Sequence, residues 1–368
     1  MRVLVSPDTF KGSLDAIEVS RAIETGLKRF DPTLEAIQFP LADGGEGTLS
    51  VLESVLNLER VELAVHDPLL RLTKAYYLRS QDTAYIEMAQ ASGFGLLEPH
   101  ERSAKQTSTF GTGELILDAL LKKAKTIYLL VGGSATNDAG CGMAEALGYR
   151  FLRSGQTITE LCGQKLSEIS EITAPSTNLL EGIEVHVLTD VQNPLYGEKG
   201  AAYVFGPQKG ANTEDVILLD NGLRNIAQLL NNGNEHVPGS GAAGGMGYGA
   251  LSFLNGSLQS GIEAILNMTN YADLLTSVDL VITGEGRLDE QTLHGKVVSG
   301  VYNKAVGAGL PLGIICGSAD PNVLSQFQSV KSIRQIADIA SSQEDAMKNA
   351  VLYIEQLAFE MAQRVFLQ

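Results

Sequence analysis

The sequence predicts an α/β protein in which one doubly wound parallel sheet is interrupted by a large inserted second α/β domain with mixed and antiparallel strands. Three observations carry this expectation. Strand and helix patterns alternate through residues 1–56, and the alternation returns after Gly261. Between them lie three strand-like runs with no room for helices. At 368 residues the chain is also longer than one hydrophobic core usually serves.

In chain order, residues 2–6 form an apolar β-type run that ends in a Gly/Pro/Ser turn. Val19, Ile23, Leu27 and Phe30 then recur at helical spacing until Asp31-Pro32 stops the pattern. Residues 35–39 read as a second strand and 48–56 as a second helix. The runs 61–65, 73–78 and 83–88 must pair as antiparallel hairpins or meanders. A helix (113–124), a buried strand (127–131), a helix (139–147), a strand (184–188) and a helix (213–230) follow. Past Gly261 come a strand (279–283), a helix (297–306), and strands at 312–316 and 333–336. The clearest helix is the last, with Met347, Val351, Ile354, Ala358, Met361 and Val365 on one stripe and Ser341 and Glu344 at capping-box spacing ahead of it. The first two and last three strands would make a five-stranded sheet. The expected domains are 1–65 plus 262–368, and the insert 66–261, with the active site in the cleft between them.

The formal net charge of −16 argues against nucleic acid or an anionic membrane as partner, since both demand a basic face. It leaves room for an anionic substrate, because a few cations and backbone N–H groups reverse the sign locally. No apolar run is long enough to span a bilayer, and residues 1–6 pass directly into a strand pattern, unlike a signal peptide. Cys141, Cys162 and Cys316 are scattered, with no CxxC, and fit reduced, mostly buried thiols of a cytoplasmic protein. The expected partners are therefore small molecules, with homo-oligomerisation left open.

The recurring chemical signal is glycine next to carboxylates. Such segments occur at Ser6-Pro7-Asp8-Thr9-Phe10-Lys11-Gly12-Ser13, at Gly44-Gly45-Glu46-Gly47 after Asp43, at Gly132-Gly133-Ser134-Ala135-Thr136-Asn137-Asp138, 190–210, 239–249, and Gly284-Glu285-Gly286-Arg287-Leu288-Asp289. Glycine lets backbone N–H groups approach an anion, and acids beside such turns suit Mg²⁺, which prefers oxygen ligands and phosphates. Asp8, Asp43 and Glu285 all fall just past strand ends, where open α/β sheets bind ligands. Each segment also has a structural reading: Ser13 capping the first helix over a solvated Lys11, Asp43 as N-cap of the second helix, the 132–138 run as a tight connection, and Arg287 bridging to Asp289. Gln208-Lys209-Gly210 and His294-Gly295-Lys296 offer further donors for phosphate. The chain has no GxxxxGK[ST], no HRD or DFG set and no histidine cluster, which sets aside P-loop, protein-kinase and zinc chemistry. Gly245-Met246-Gly247-Tyr248-Gly249 resembles half a dinucleotide fingerprint but follows no strand.

The ordered set SPDTFKGSL, PLADGGEGT, GTGEL, GGSATNDAGCGM, TDVQNPL, GPQKGA, GAAGGMGYGAL and TGEGRLDEQT-HGK closely resembles the bacterial glycerate kinases of the glycerate 2-kinase type, from residue 6 to about residue 317. The resemblance implies ATP- and Mg²⁺-dependent phosphorylation of D-glycerate to 2-phosphoglycerate. It also implies a flavodoxin-like domain with a large α/β insertion. Two positions depart from the family pattern, Val298 where a proline is expected nearby and Gln192 where an acid or Asn is common.

For an in-line transfer, Asp190 or Asp43 would accept the hydroxyl proton, with the other near the metal. Glu285 and Asp289, with Asp190, are the metal candidates. Asp8, Lys11 and Arg287 would bind the substrate, and Lys11 would offset charge in the transfer. Gly133, Ser134, Asn137, Gly244 and Gly245 would cradle ATP. Two rival readings stand beside this one: a kinase of another small hydroxy acid, and a non-catalytic flavodoxin-like protein that binds a nucleotide or flavin.

Overall fold

The computed structural model describes residues 1–293 and 295–366. In chain order the strands are β1 (Arg2–Val5), β2 (Glu35–Gln38), β3 (Glu59–His66), β4 (Leu72–Ser80) and β5 (Thr83–Glu87). They continue with β6 (Thr126–Leu130), β7 (Arg150–Arg153), β8 (Gln156–Ile158), β9 (Glu171–Thr173) and β10 (Glu184–Leu188). The last are β11 (Ser257–Gln259), β12 (Leu280–Leu288), β13 (Leu312–Ala319) and β14 (Val330–Gln335). The chain divides into two compact units, the first made of Met1–Asp43, Ser50–Leu56 and Ser260–Gln368, the second of Gly44–Leu49 and Asn57–Gln259.

The first unit holds a five-stranded sheet of order β14-β13-β12-β1-β2 in which every pair is parallel. Counted within this unit alone, the order is 5-4-3-1-2. The helices Ala16–Phe30 and Ala350–Phe366 bury Val19, Ile23, Leu27, Ile354, Leu357 and Met361 in the same core as Val3, Val5, Leu280 and Ile282. Each such side chain contributes about 1.5–3 kcal/mol on burial. The two helices approach closely because Gly26 has no side chain: a Cβ there would lie 2.2 Å from the Glu355 carbonyl oxygen.

Capping differs from the sequence reading at both helices. Asp15, not Ser13, caps Ala16–Phe30, accepting from the Glu18 N–H at 2.8 Å while Glu18 accepts from the Asp15 N–H at 2.9 Å. Ser13 instead donates to the Met347 carbonyl at 2.8 Å. The C-terminal stripe is broken into Gln343–Lys348 and Ala350–Phe366, and Ser342 rather than Ser341 accepts from the Asp345 N–H.

The second unit holds a six-stranded sheet of order β11-β10-β6-β5-β4-β3. β3, β4 and β5 form the antiparallel meander that the closely spaced runs required. From β5 onward the pairs are parallel, because helices or long connections intervene. Glu87, Leu130 and Leu188 align across β5, β6 and β10, so the loops after these three strands leave one edge of this sheet. A small antiparallel sheet, β8-β7-β9, has no counterpart in the sequence reading. The three cysteines are buried and unbridged. Among the described residues no helix is long and apolar enough to cross a membrane.

Candidate active site

In the first unit the chain leaves β1 along its neighbour: the Ser6 and Asp8 N–H groups donate to the Ile282 and Gly284 carbonyls, each at 2.8 Å. This carries Asp8 beside β12 and buries it. Burial, the Asp43 carboxylate and the Glu285 carboxylate together push the Asp8 carboxyl up to about 8, against the Thr9 N–H and Lys11, which pull it down. The Thr9 N–H reaches Asp8 Oδ1 at 2.6 Å. Glu285 is also buried and is pushed up to about 7 by burial above all, with Asp289 and Asp43 adding repulsion. The Thr292 hydroxyl, donating to Glu285 Oε1 at 2.5 Å, and Lys296 oppose that rise.

The segment around Glu285 is strand rather than turn. β12 runs to Leu288 instead of stopping at 283, in register with β13 as far as Leu288 opposite Ala319. Its glycines serve close backbone pairing, since a Cβ on Gly284 would sit 1.9 Å from the Ile315 carbonyl oxygen. Along this extension Glu285 is buried and Arg287, two residues on, is exposed. Asp289 then organises the turn Glu290–Leu293, accepting from the Gln291 N–H at 3.0 Å. Asp43 is not the cap of the next helix, which begins at Thr48. His294, one of the phosphate-donor candidates, lies outside the described residues.

In the second unit the 132–138 run follows β6 and leads to the helix Cys141–Ala146. Its conformation is set from both sides. Gly132 packs on the Gly44–Gly47 turn so tightly that a Cβ would lie 2.4 Å from Gly45 Cα, and Gly133 has φ +73°. That turn is held by Glu87 at the end of β5, whose carboxylate accepts from the Gly47 and Leu49 N–H groups, each at 3.1 Å. On the other side, a Cβ on Gly244 would lie 2.0 Å from the Thr136 carbonyl oxygen, and one on Gly249 2.4 Å from that of Ala139. The glycines of 241–249 are therefore a packing surface for residues 136–140. Ala243, Gly244 and Gly245 all take positive φ inside the helix Ala242–Phe253. The apparent dinucleotide half-motif is this helix.

Asp138 anchors the loop. Fully buried, it accepts from the Thr109 N–H and hydroxyl at 2.8 Å each and from the Gly140 and Gly142 N–H groups at 3.1 and 3.2 Å. Lys209 lies buried beneath it, donating to Ser134 Oγ at 2.7 Å and to the Thr136 carbonyl at 2.8 Å. Burial pushes the Lys209 ammonium down to about 7 although Asp138 pulls the other way. Thr136 Oγ1 and both polar atoms of the Asn137 amide are buried with no hydrogen-bond partner. A buried amide left unpaired is costly.

Asp190 and Asn193 lie half-buried on the loop after β10, in the same unit as Gly133, Ser134, Asn137, Gly244 and Gly245. That loop is fixed by the Asn193 carbonyl accepting from the Gly241 N–H at 2.9 Å. Glu285 and Asp289 belong to the first unit. Among the described residues no group of three or more His, Cys, Asp or Glu side chains is arranged to hold a metal ion. Two contributors escaped the sequence reading: Glu87 and Thr109 act on backbone far away in the chain. Lys209, read from the sequence as a donor for phosphate, is buried.

The chain is 40% identical to the glycerate kinase of Halalkalibacterium halodurans over 368 residues, covering 98% of this chain and 97% of that protein. It is 39% identical over 330 residues to the glycerate 2-kinase of Escherichia coli strain K12, covering 88% and 87%. The crystal structure of a candidate glycerate kinase 2 from Salmonella typhimurium LT2 superimposes with a TM-score of 0.85 at 38% identity, over 99% of this chain and 98% of that one. The model of the glycerate kinase family matches residues 3–366, the stretch that contains both the buried acids around Asp8 and the loop over Lys209, and the chain is a kinase of the glycerate kinase family.

Proposed function

We propose that this kinase transfers the γ-phosphoryl group of ATP to D-glycerate, giving 2-phosphoglycerate and ADP, with Mg²⁺ as the cation. The observation that carries the choice of acceptor is the identity to a protein named glycerate 2-kinase along most of both chains. The parallel order 5-4-3-1-2 of the first unit supports reading it as flavodoxin-like, with the second unit as the insertion. The unbridged buried thiols agree with a cytoplasmic enzyme.

The residues fit these ligands. Asp8, Asp43, Glu285 and Asp289 are an oxygen-only donor set whose mutual repulsion a divalent cation relieves. Within the first unit, Glu285 and Asp289 are the residues that would hold Mg²⁺. Bound there, the ion supplies charge neutralisation at the phosphates. Unpaired polar atoms on Thr136 and Asn137 suit a phosphate cradle completed by Gly133, Ser134 and the backbone at Gly244 and Gly245. Lys11 and Arg287 bind the glycerate carboxylate, and Asp8 accepts from a glycerate hydroxyl. Asp43 or Asp190 takes the proton of the attacking hydroxyl as the O–P bond forms.

The test is incubation with ATP, Mg²⁺ and D-glycerate, followed by ³¹P NMR of the product. Formation of 2-phosphoglycerate with equimolar ADP is expected. Exclusive formation of 3-phosphoglycerate would overturn the regiochemistry, and an absence of ADP with glycerate but not with another hydroxy acid would overturn the acceptor.

A further inference from the structure

We propose that Lys209 is an internal counter-charge for bound polyphosphate, a positioning residue beneath the 132–138 loop whose ammonium is balanced by the phosphates of the nucleotide rather than by a carboxylate of the protein. The inference rests on the reading of that loop as the nucleotide cradle.

Buried ammonium groups in proteins are normally paired, because an isolated charge in a low-dielectric site is expensive. Lys209 is buried, yet its two hydrogen-bond acceptors are a neutral hydroxyl, Ser134 Oγ, and a neutral carbonyl, that of Thr136. Asp138 is the one group whose charge acts on it, from beyond hydrogen-bond reach, and that carboxylate already accepts four hydrogen bonds from Thr109, Gly140 and Gly142. The segment packed on the Lys209 backbone, through the Ala104 N–H and the Lys209 carbonyl, carries Arg102, stacked over Phe94, Lys105, paired with Asp215, and Glu101, paired with Arg71. Among the described residues no carboxylate is hydrogen-bonded or ion-paired to the Lys209 ammonium.

A second observation points the same way independently of the lysine. Thr136 Oγ1 and the Asn137 amide, on the same loop, are buried without partners. A ligand rich in oxygen acceptors satisfies the Asn137 N–H groups and the Thr136 hydroxyl while placing anionic charge above Lys209. The ammonium sits low, about 7, without such a ligand. An anion close by favours the charged form, so nucleotide binding draws a proton from solvent onto Nζ.

The experiment is isothermal titration of the full chain with adenylyl imidodiphosphate and EDTA at pH 8, in two buffers of different ionisation heat. EDTA keeps the acid group of the first unit out of the proton count. Wild type is expected to take up close to one proton per nucleotide bound. Lys209→Met should lose that uptake and bind the nucleotide about 10- to 100-fold more weakly, with the change falling on nucleotide affinity rather than on KM for D-glycerate. Unchanged affinity or uptake in Lys209→Met overturns the proposal. So does zero uptake in wild type, which needs no variant to fold. Failure of wild type to bind the nucleotide even with Mg²⁺ overturns the cradle reading itself, a result distinct from tight binding without proton uptake.

Discussion

The two regions that bury ionisable groups do so with opposite deficits. At the edge of the first unit, Asp8 and Glu285 are buried within each other's field and that of Asp43, so like charges accumulate. In the second unit Asp138 is buried with four donors around it, and Lys209 is buried with neutral acceptors alone. The first region is short of positive charge and the second of negative charge. The difference fits the proposed reading, in which a bound cation offsets the first deficit and the phosphates of the nucleotide offset the second. Neither deficit would persist in a site selected for stability alone, since paired or apolar replacements cost less.

The comparison breaks most visibly if the proton acceptor lies in the wrong region. The acid edge holds Asp43, while Asp190 belongs to the unit of the glycine loops. Replacing the true base with its amide should lower kcat by about 10²- to 10⁴-fold with the fold intact, and steady-state kinetics on Asp43→Asn and Asp190→Asn decide between them. A large loss confined to Asp43→Asn keeps ionic chemistry at the acid edge. A large loss confined to Asp190→Asn gives the second unit a catalytic role as well as a binding one. Near-normal turnover in Asp190→Asn removes Asp190 from the mechanism.

A smaller effect sharpens the contrast through pH. The Asp8 carboxyl rises in the folded state from an ordinary 3.8 to about 8. Between these values the folded chain holds a proton that the unfolded chain has released, so stability falls as pH rises from about 4 to 8. Lys209 falls from 10.5 to about 7. Between those values the unfolded chain holds the extra proton, so its contribution to stability rises with pH from about 7 to 10.5. Asp8→Asn should therefore gain stability over wild type, on the order of 2 kcal/mol near pH 8, with little difference below pH 4. Mg²⁺ should narrow the gap by stabilising wild type, with its additional carboxylate, more than the variant. Urea melts across pH check both, and a pH-independent difference would remove the charge deficit from the first region.

How far these regions were legible in the sequence follows the same physics. Alternating patterns and turn residues are local, so the parallel sheet of the first unit and the β3-β4-β5 meander were readable from spacing. Asp8, Asp43 and Glu285 were readable as one group because strand ends of a parallel sheet share an edge. The extension of β12 was not, because Gly284 and Gly286 look like turn formers until Ile315 is seen to pack on Gly284. The short strands β7, β8 and β9 are largely exposed and lack an apolar alternation to betray them. Lys209 was legible as a donor for phosphate but its burial was not, because its partners Ser134 and Thr136 are distant in the chain. Glu87 likewise holds N–H groups at Gly47 and Leu49 that no local pattern connects to it.

The smallest effects separate glycines that shape the cradle from those that line it. Gly133 and Gly244 both have positive φ, +73° and +71°, so an alanine at either is strained by about 1–2 kcal/mol. Their surroundings differ. A Cβ at exposed Gly133 meets the Cβ atoms of Glu46 and Ala89 at 3.2 and 3.3 Å and a flexible Glu46 carboxylate. At buried Gly244 it would meet the backbone oxygen of Thr136 at 2.0 Å, which cannot move without shifting the Asn137 peptide. Gly244→Ala should thus lose roughly 2–4 kcal/mol, the strain plus an overpacking term, and weaken nucleotide binding with it. Gly133→Ala should lose only about 1 kcal/mol, so that any larger drop in nucleotide affinity reports a side chain placed against the ligand rather than a displaced loop. Chemical denaturation alongside nucleotide titration measures both losses in each variant. Equal stability losses at the two positions would mean that residues 136–140 yield to the 241–249 segment, and the loop would then be set by its ligand instead of by the packing beneath it.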